Sequence, residues 1–178
     1  MAFDPRILEF LESRSSVRFE STVYRATRMS LDPTTASLMG GRWMIPNRTS
    51  ALYTSTSKDG AIAEIAFHLS LMVPQPSRLV KLHEIEVATL KTLKISKEDF
   101  IALDIDEQRF SQRDYGRTQE IGAAAAHMGF DGLLVPSART SAENLVLFPD
   151  NHHIDLKLSV IRSIETDWVL WRDRTGQK

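Results

Sequence analysis

Residues 61–72 read Ala-Ile-Ala-Glu-Ile-Ala-Phe-His-Leu-Ser-Leu-Met, a segment that is apolar on nearly every side of a helix. A helix of that kind predicts burial, so the rest of the chain must supply a core around it. Ser57 is placed to cap it, and Pro74 and Pro76 end it near Met72. Glu64 is its only charge. At roughly 100° per residue, Glu64 and His68 lie about 40° apart, so a carboxylate and an imidazole share one face. Burying an unpaired carboxylate costs on the order of several kcal/mol or forces its protonation. Glu64 therefore either pairs with an arginine in a packed interface or opens into a cleft.

The chain has 178 residues, 42% hydrophobic and 25% charged, with a net charge of -1. That composition is globular and fits one domain large enough for a proper core. Near-neutral charge offers no field for a polyanion, so no nucleic-acid partner is expected. There is no cysteine. Disulfides, thiolate nucleophiles and cysteine-ligated zinc are thereby excluded, and a reducing cytoplasm is the expected location. The opening residues break their apolar positions with charges and lack the run a secretory signal needs. They read instead as an amphipathic helix with Asp4 as N-cap, Pro5 at the first position and Ile7, Leu8 and Leu11 on one face. No stretch approaches the apolar length that spans a membrane.

Charge is uneven along the chain. Every cation before position 58 is an arginine: Arg6, Arg14, Arg18, Arg25, Arg28, Arg42 and Arg48. From Arg14 to Arg48 these face only Glu20 and Asp32. Arginine's planar fork grips carboxylates and phosphates at two points, which makes this segment a candidate anion site. The acidic run Glu98, Asp99, Asp104, Asp106 and Glu107 reads as a solvated helix or loop face.

Periodicity and turn chemistry predict a single α+β domain with mixed or antiparallel sheets and flanking helices. Strands are expected at Val17–Arg25, Ala51–Ser55, Leu79–Val87, Gly132–Val135, Asn144–Phe148 and Trp168–Trp171. A short helix is expected at Lys97–Leu103 and a longer one at Arg117–Met128, stopped by Gly129. The polar stretch between the first two strands, with Asp32-Pro33, Gly40-Gly41 and Pro46-Asn47, is a long loop of the functional kind.

Several chemistries fail on spacing. Glu64 and His68 could ligate a metal, but no second ligand pair accompanies them, and His152-His153 is an isolated doublet. Ser137, in Val135-Pro136-Ser137-Ala138-Arg139, stands where a buried strand meets a loop but lacks a Gly-x-Ser-x-Gly elbow. Met39-Gly40-Gly41-Arg42 has neither glycine-rich phosphate-loop spacing. A bound nucleotide would be held by arginine side chains.

The ordered set Val23-Tyr24-Arg25-Ala26, Gly40-Gly41-Arg42-Trp43, Leu52-Tyr53-Thr54-Ser55, Ala61-Ile62-Ala63-Glu64 with His68, Gly129-Phe130-Asp131-Gly132, Pro136-Ser137-Ala138-Arg139 and Asn144-Leu145-Val146-Leu147-Phe148 resembles the RES-domain family. The resemblance is strongest over residues 20–150, and a single RES domain over 1–178 is expected. Met44 departs from the pattern, where the family commonly has asparagine after the Arg-Trp pair; Asn47 is nearby.

The resemblance implies an ADP-ribosyltransferase-like fold and a toxin of a toxin–antitoxin pair that depletes NAD by cleaving the nicotinamide–ribose bond. Water or phosphate would be the acceptor, NAD the substrate, and no prosthetic group is involved. The partner would be a cognate helix-turn-helix (Xre-like) antitoxin that blocks the cleft. On this reading Glu64 stabilises positive charge on the ribose or orients the acceptor, and Arg25 and Arg42 bind the pyrophosphate, or one of them binds phosphate. Ser137 and Asn144 hydrogen-bond ribose or the nicotinamide amide, with Ser137 a positioner and not a nucleophile. Tyr53 stacks on nicotinamide or belongs to the core. Tyr24 and His68 line the site, and Trp43 packs so as to fix Arg42. Two alternatives stay open: an ADP-ribosyltransferase acting on a protein, and a nucleotide-binding module without catalysis. Ile62, two residues before Glu64, leaves out the Glu-x-Glu arrangement of many arginine-directed transferases, which leans toward free NAD.

Overall fold

The apolar helix forms as α2 (Lys58–Ser70) in the computed structural model, which describes residues 3–176. The Ser57 hydroxyl caps it by accepting from the Gly60 N–H at 2.9 Å. Its burial is one-sided. Ala61, Ile62, Ala66 and Leu69 pack against Val80, Leu82 and Trp168, whereas Glu64, Ile65 and Phe67 are half-buried and His68 is exposed. The second apolar face is there because it forms a cleft wall, described below.

Before α2 come α1 (Pro5–Ser13), β1 (Val17–Arg28) and β2 (Leu52–Ser55). After it come β3 (Leu79–Lys94), a 3-10 turn at Lys97–Asp99, α3 (Gly116–His127), β4 (Gly132–Pro136), β5 (Glu143–Leu147), β6 (Leu158–Asp167) and α4 (Trp168–Thr175). Asp4 caps α1 through the Arg6 N–H, and Ile7 and Leu11 are buried. Gly129 ends the α3 segment at φ +77, a conformation that favours glycine.

The strands form one mixed sheet whose pairings close on themselves. β1 runs antiparallel to β2 and β3, β2 to β5, and β5 to β4, while β4 lies parallel to β3 and completes the ring. The long β3 makes this possible, because its first part pairs with β6 and its last residues pair with β4. A cluster of Val23, Leu52, Ile85, Val87, Leu134, Leu145 and Leu147 draws on all five strands of the ring. A larger core packs α1, α3 and the 100–110 segment around Trp43, Phe100, Phe148 and their neighbours.

Three local expectations are corrected. Trp168–Trp171 is helical, not a strand: Asp167 caps α4 by accepting from the Leu170 N–H at 2.9 Å, and Trp168 is wholly buried against α2. A short apolar run fits either period, and the capping aspartate decides it. β6 was not expected, because an edge strand exposed along most of its length carries no buried alternation. The acidic run is not all solvated, since Asp99 is buried, pairs with Arg14 and accepts from the Ser96 N–H at 2.8 Å. Among the described residues no helix is long and apolar enough to cross a membrane.

Candidate active site

Sheet register brings distant residues into one row. Tyr24 stands opposite Ser55, Ser55 opposite Asn144, and Asn144 opposite Val135, just before the Pro136–Arg139 segment. α2 starts three residues beyond Ser55 and passes along this row, presenting Glu64 and His68 to it. The result is a cleft of about 260 Å³. Of the eight residues expected at the site, seven line it: Tyr24, Arg25, Arg42, Tyr53, Glu64, His68 and Asn144. Ser137 does not; it is buried directly behind Glu64.

Glu64 is held without an arginine. Its Oε1 accepts from Ser137 Oγ at 3.0 Å and from Asn144 Nδ2 at 3.1 Å. This resolves the choice posed by the apolar helix in favour of a carboxylate open to a cleft. Ser137 Oγ also accepts from the backbone N–H groups of Arg139 and Thr140, at 3.1 and 3.3 Å, so its single proton is committed to the carboxylate. That arrangement, with two N–H groups donating to its oxygen and its proton on the carboxylate, suits Ser137 to orienting Glu64. Asn144 must turn its NH₂ toward Glu64, because the opposite flip would set two oxygens against each other. Its Oδ1 is left buried without a partner.

The arginines divide. Arg25 donates from Nη1 to the carbonyls of Pro33 and Thr35, at 2.8 and 2.9 Å, and so ties the long loop to β1. Arg42 lies between two rings, its guanidinium carbon 4.6 Å from the centroids of both Phe110 and Tyr115, and donates from Nη2 to Gln112 O at 3.1 Å. Its Nη1 is buried without a partner. Burial works against the charge on both guanidiniums, and for Arg42 the nearby Arg139 adds to the fall. Arg14 and Arg18 pair with Asp99 and Glu20 and do not line the cleft.

Trp43 packs into the core behind Arg42, and its backbone N–H donates to Tyr53 Oη at 3.1 Å. Burial pushes the Tyr53 phenol up, so it stays protonated. Loss of solvation lowers the His68 pKa; Glu64 opposes this, while Arg139, Arg113 and Arg42 reinforce it. Met44 is fully buried in the core, so the position of the family's usual asparagine does not face the cleft here. Asn47, at φ 58, is exposed and does not line the cleft. Tyr115 and Arg139 are among the lining residues that sequence reasoning did not assign to the site. Arg139 sat inside a motif already singled out, whereas nothing local marked Tyr115. His152 Nε2 lies 2.8 Å from Ala88 O, and among the described residues no group of three or more side chains is placed to hold a metal ion.

Comparison with known proteins adds a family and a fold. The RES domain profile matches residues 17–173. Seven chains of solved structures match. One, from the crystal structure of the M. tuberculosis MbcT–MbcA toxin–antitoxin complex, superposes with a TM-score of 0.83 over 99% of this chain and 100% of that one. At 20% identity this likeness shows a shared fold. No curated protein sequence matches.

Proposed function

The chain belongs to the RES domain family, and from that premise we propose that it is the toxin of a toxin–antitoxin pair and that it degrades NAD by breaking the nicotinamide–ribose bond. The observation that carries the reading is the state of Glu64: a carboxylate at a cleft, oriented by Ser137 and Asn144 and in no salt bridge with an arginine among the described residues.

The chemistry suits one carboxylate. When the C1′–N bond breaks, its electron pair goes to the nicotinamide ring, which leaves neutral and needs no proton. Positive charge develops on the ribose, where Glu64 would stabilise it electrostatically. Water or phosphate then adds at C1′, and for water the proton passes to Glu64 or solvent. The unpartnered Asn144 Oδ1 is an acceptor suited to a ribose hydroxyl or the nicotinamide amide. The half-buried Tyr53 ring, with its hydroxyl tied to Trp43, offers a stacking face. That the neighbouring fold was solved with an antitoxin supports a protein antitoxin as partner; on the family resemblance it would be a helix-turn-helix protein blocking this cleft, to be sought in the adjacent gene.

The test is incubation of the purified protein with NAD, with and without phosphate, while nicotinamide is followed. Release in either condition is expected. No release from the purified protein alone in either condition, but release once other protein is added, together with ADP-ribose on that protein, would replace this reading by the protein-directed transferase.

A further inference from the structure

Arg139 lines the cleft, and the reading above leaves it without a task. It stands on the β4–β5 connection, held by the Ser137 hydroxyl through its own backbone N–H. Its guanidinium carbon lies 3.4 Å from the centroid of the Phe67 ring, and Phe67 shares a face of α2 with Glu64 and His68. No carboxylate pairs with it among the described residues, and its Nε is buried without a partner. Across the cleft Arg42 is in the same condition, clamped by two rings and with a buried, unpartnered Nη1.

Two guanidiniums clamped by aromatic rings, both facing one cavity and both with unsatisfied buried donors, make an unfavourable arrangement when empty. Each repels the other, and the one carboxylate between them is engaged by Ser137 and Asn144 instead. A ligand with two adjacent anionic groups suits the pair, since each guanidinium can donate to a separate phosphate and the ligand's charge offsets their mutual repulsion. Arg25 is differently placed, because its Nη1 already serves two loop carbonyls.

We propose that Arg139 and Arg42 form the diphosphate cradle of this cleft, and that Arg25 shapes the wall instead of gripping the ligand. The assignment deepens the NAD reading and rests on it for the identity of the dinucleotide, but the cradle itself is specific to a diphosphate. It predicts that the Phe67 stack matters as well as the charge, since lysine cannot reproduce a planar fork lying on a ring.

The test uses inorganic pyrophosphate as the probe, titrated calorimetrically into the full chain and into Arg139→Gln, Arg139→Lys and Arg25→Gln, with melting curves to show that each variant is folded. The Arg139 side chain is half-buried on a connection whose capping bonds come from backbone, so both variants are expected to fold. Pyrophosphate affinity should fall roughly ten- to a hundred-fold in Arg139→Gln, with Arg139→Lys restoring only part of it. Arg25→Gln should lower the melting temperature while lowering that affinity less than Arg139→Gln does. Equal affinity in Arg139→Gln and the parent, a greater loss in Arg25→Gln, or no pyrophosphate binding by the parent each overturns the cradle. Nicotinamide release measured on the same parent sample separates the two ideas. Binding that depends on Arg139 without NAD cleavage leaves the cradle and removes the function, and cleavage with an unchanged KM in Arg139→Gln does the reverse.

Discussion

Arg25 and Thr27 stand two residues apart on β1, yet the polar clusters they belong to are completed to opposite degrees. Thr27 Oγ1 donates to Leu31 O and lies 2.9 Å from Nε2 of the buried His83, whose Nδ1 lies 2.7 Å from Ser163 Oγ. One tautomer satisfies everything: Nε2–H donates to Thr27, and Ser163 donates to Nδ1. Around Arg25, in contrast, the cleft holds a partnerless donor on Arg42, another on Arg139 and a partnerless acceptor on Asn144. The first cluster is closed and has nothing left to bind. The second leaves polar atoms unpartnered beside a cleft, and it is the cleft and those atoms together that mark a candidate site.

The largest effect should come from the open cluster. Glu64→Gln keeps an acceptor for Ser137 and Asn144 but removes the charge, so the fold should persist while nicotinamide release falls by at least about a hundred-fold, the scale of a lost electrostatic stabiliser. Equal rates in variant and parent would end the role assigned to Glu64.

A smaller effect tests how the open cluster is supported. Gly122 lies inside α3, where an added Cβ would sit 1.7 Å from the Trp43 carbonyl oxygen, a backbone atom that cannot swing aside. This close approach seats the Arg42–Trp43 segment against α3, where Thr118 Oγ1 also donates to Arg42 O at 2.6 Å. Gly122→Ala should cost about 1–3 kcal/mol in denaturant unfolding, despite alanine's better helix propensity. A stabilised variant would show that this contact does not position the loop.

The smallest effect belongs to the closed cluster and is a matter of pH. Burial, with help from Lys81 and Arg25, lowers the His83 pKa from 6.5 in the folded chain. Below that value the unfolded chain takes up a proton that the folded chain resists, so stability is full above pH 6.5 and declines as pH falls through it. His68 shifts in the same direction. The melting temperature should therefore drop between about pH 7.5 and pH 5.5, and less steeply in His83→Gln. An unchanged slope would show that His83 is protonated without penalty and that its cluster is less closed than its geometry suggests.

Where the structure departs from what the residues suggest, the cause is a contact between distant segments. The Ser57 cap, the Asp4 cap and the Gly129 stop are local and legible, as are most strands. β6 was hidden because its partner, β3, supplies the order that its own pattern lacks. The arginine-rich first third promised one anion site, yet Arg14 and Arg18 are tied up elsewhere, Arg25 braces a loop, and Arg139 joins from the other end of the chain.

By itself the sequence determined that thiol chemistry is closed to this chain, and that one glutamate would stand alone on an apolar helix. It did so because helical period, capping and composition act over a few residues. Only the tertiary structure decided that Ser137 and Asn144, and no arginine, hold that glutamate, and that Phe110, Tyr115 and Phe67 clamp the two guanidiniums facing it. Those pairings join segments as far as 80 residues apart. Whether a buried donor finds a partner depends on where the backbone carries it, and no local pattern records that.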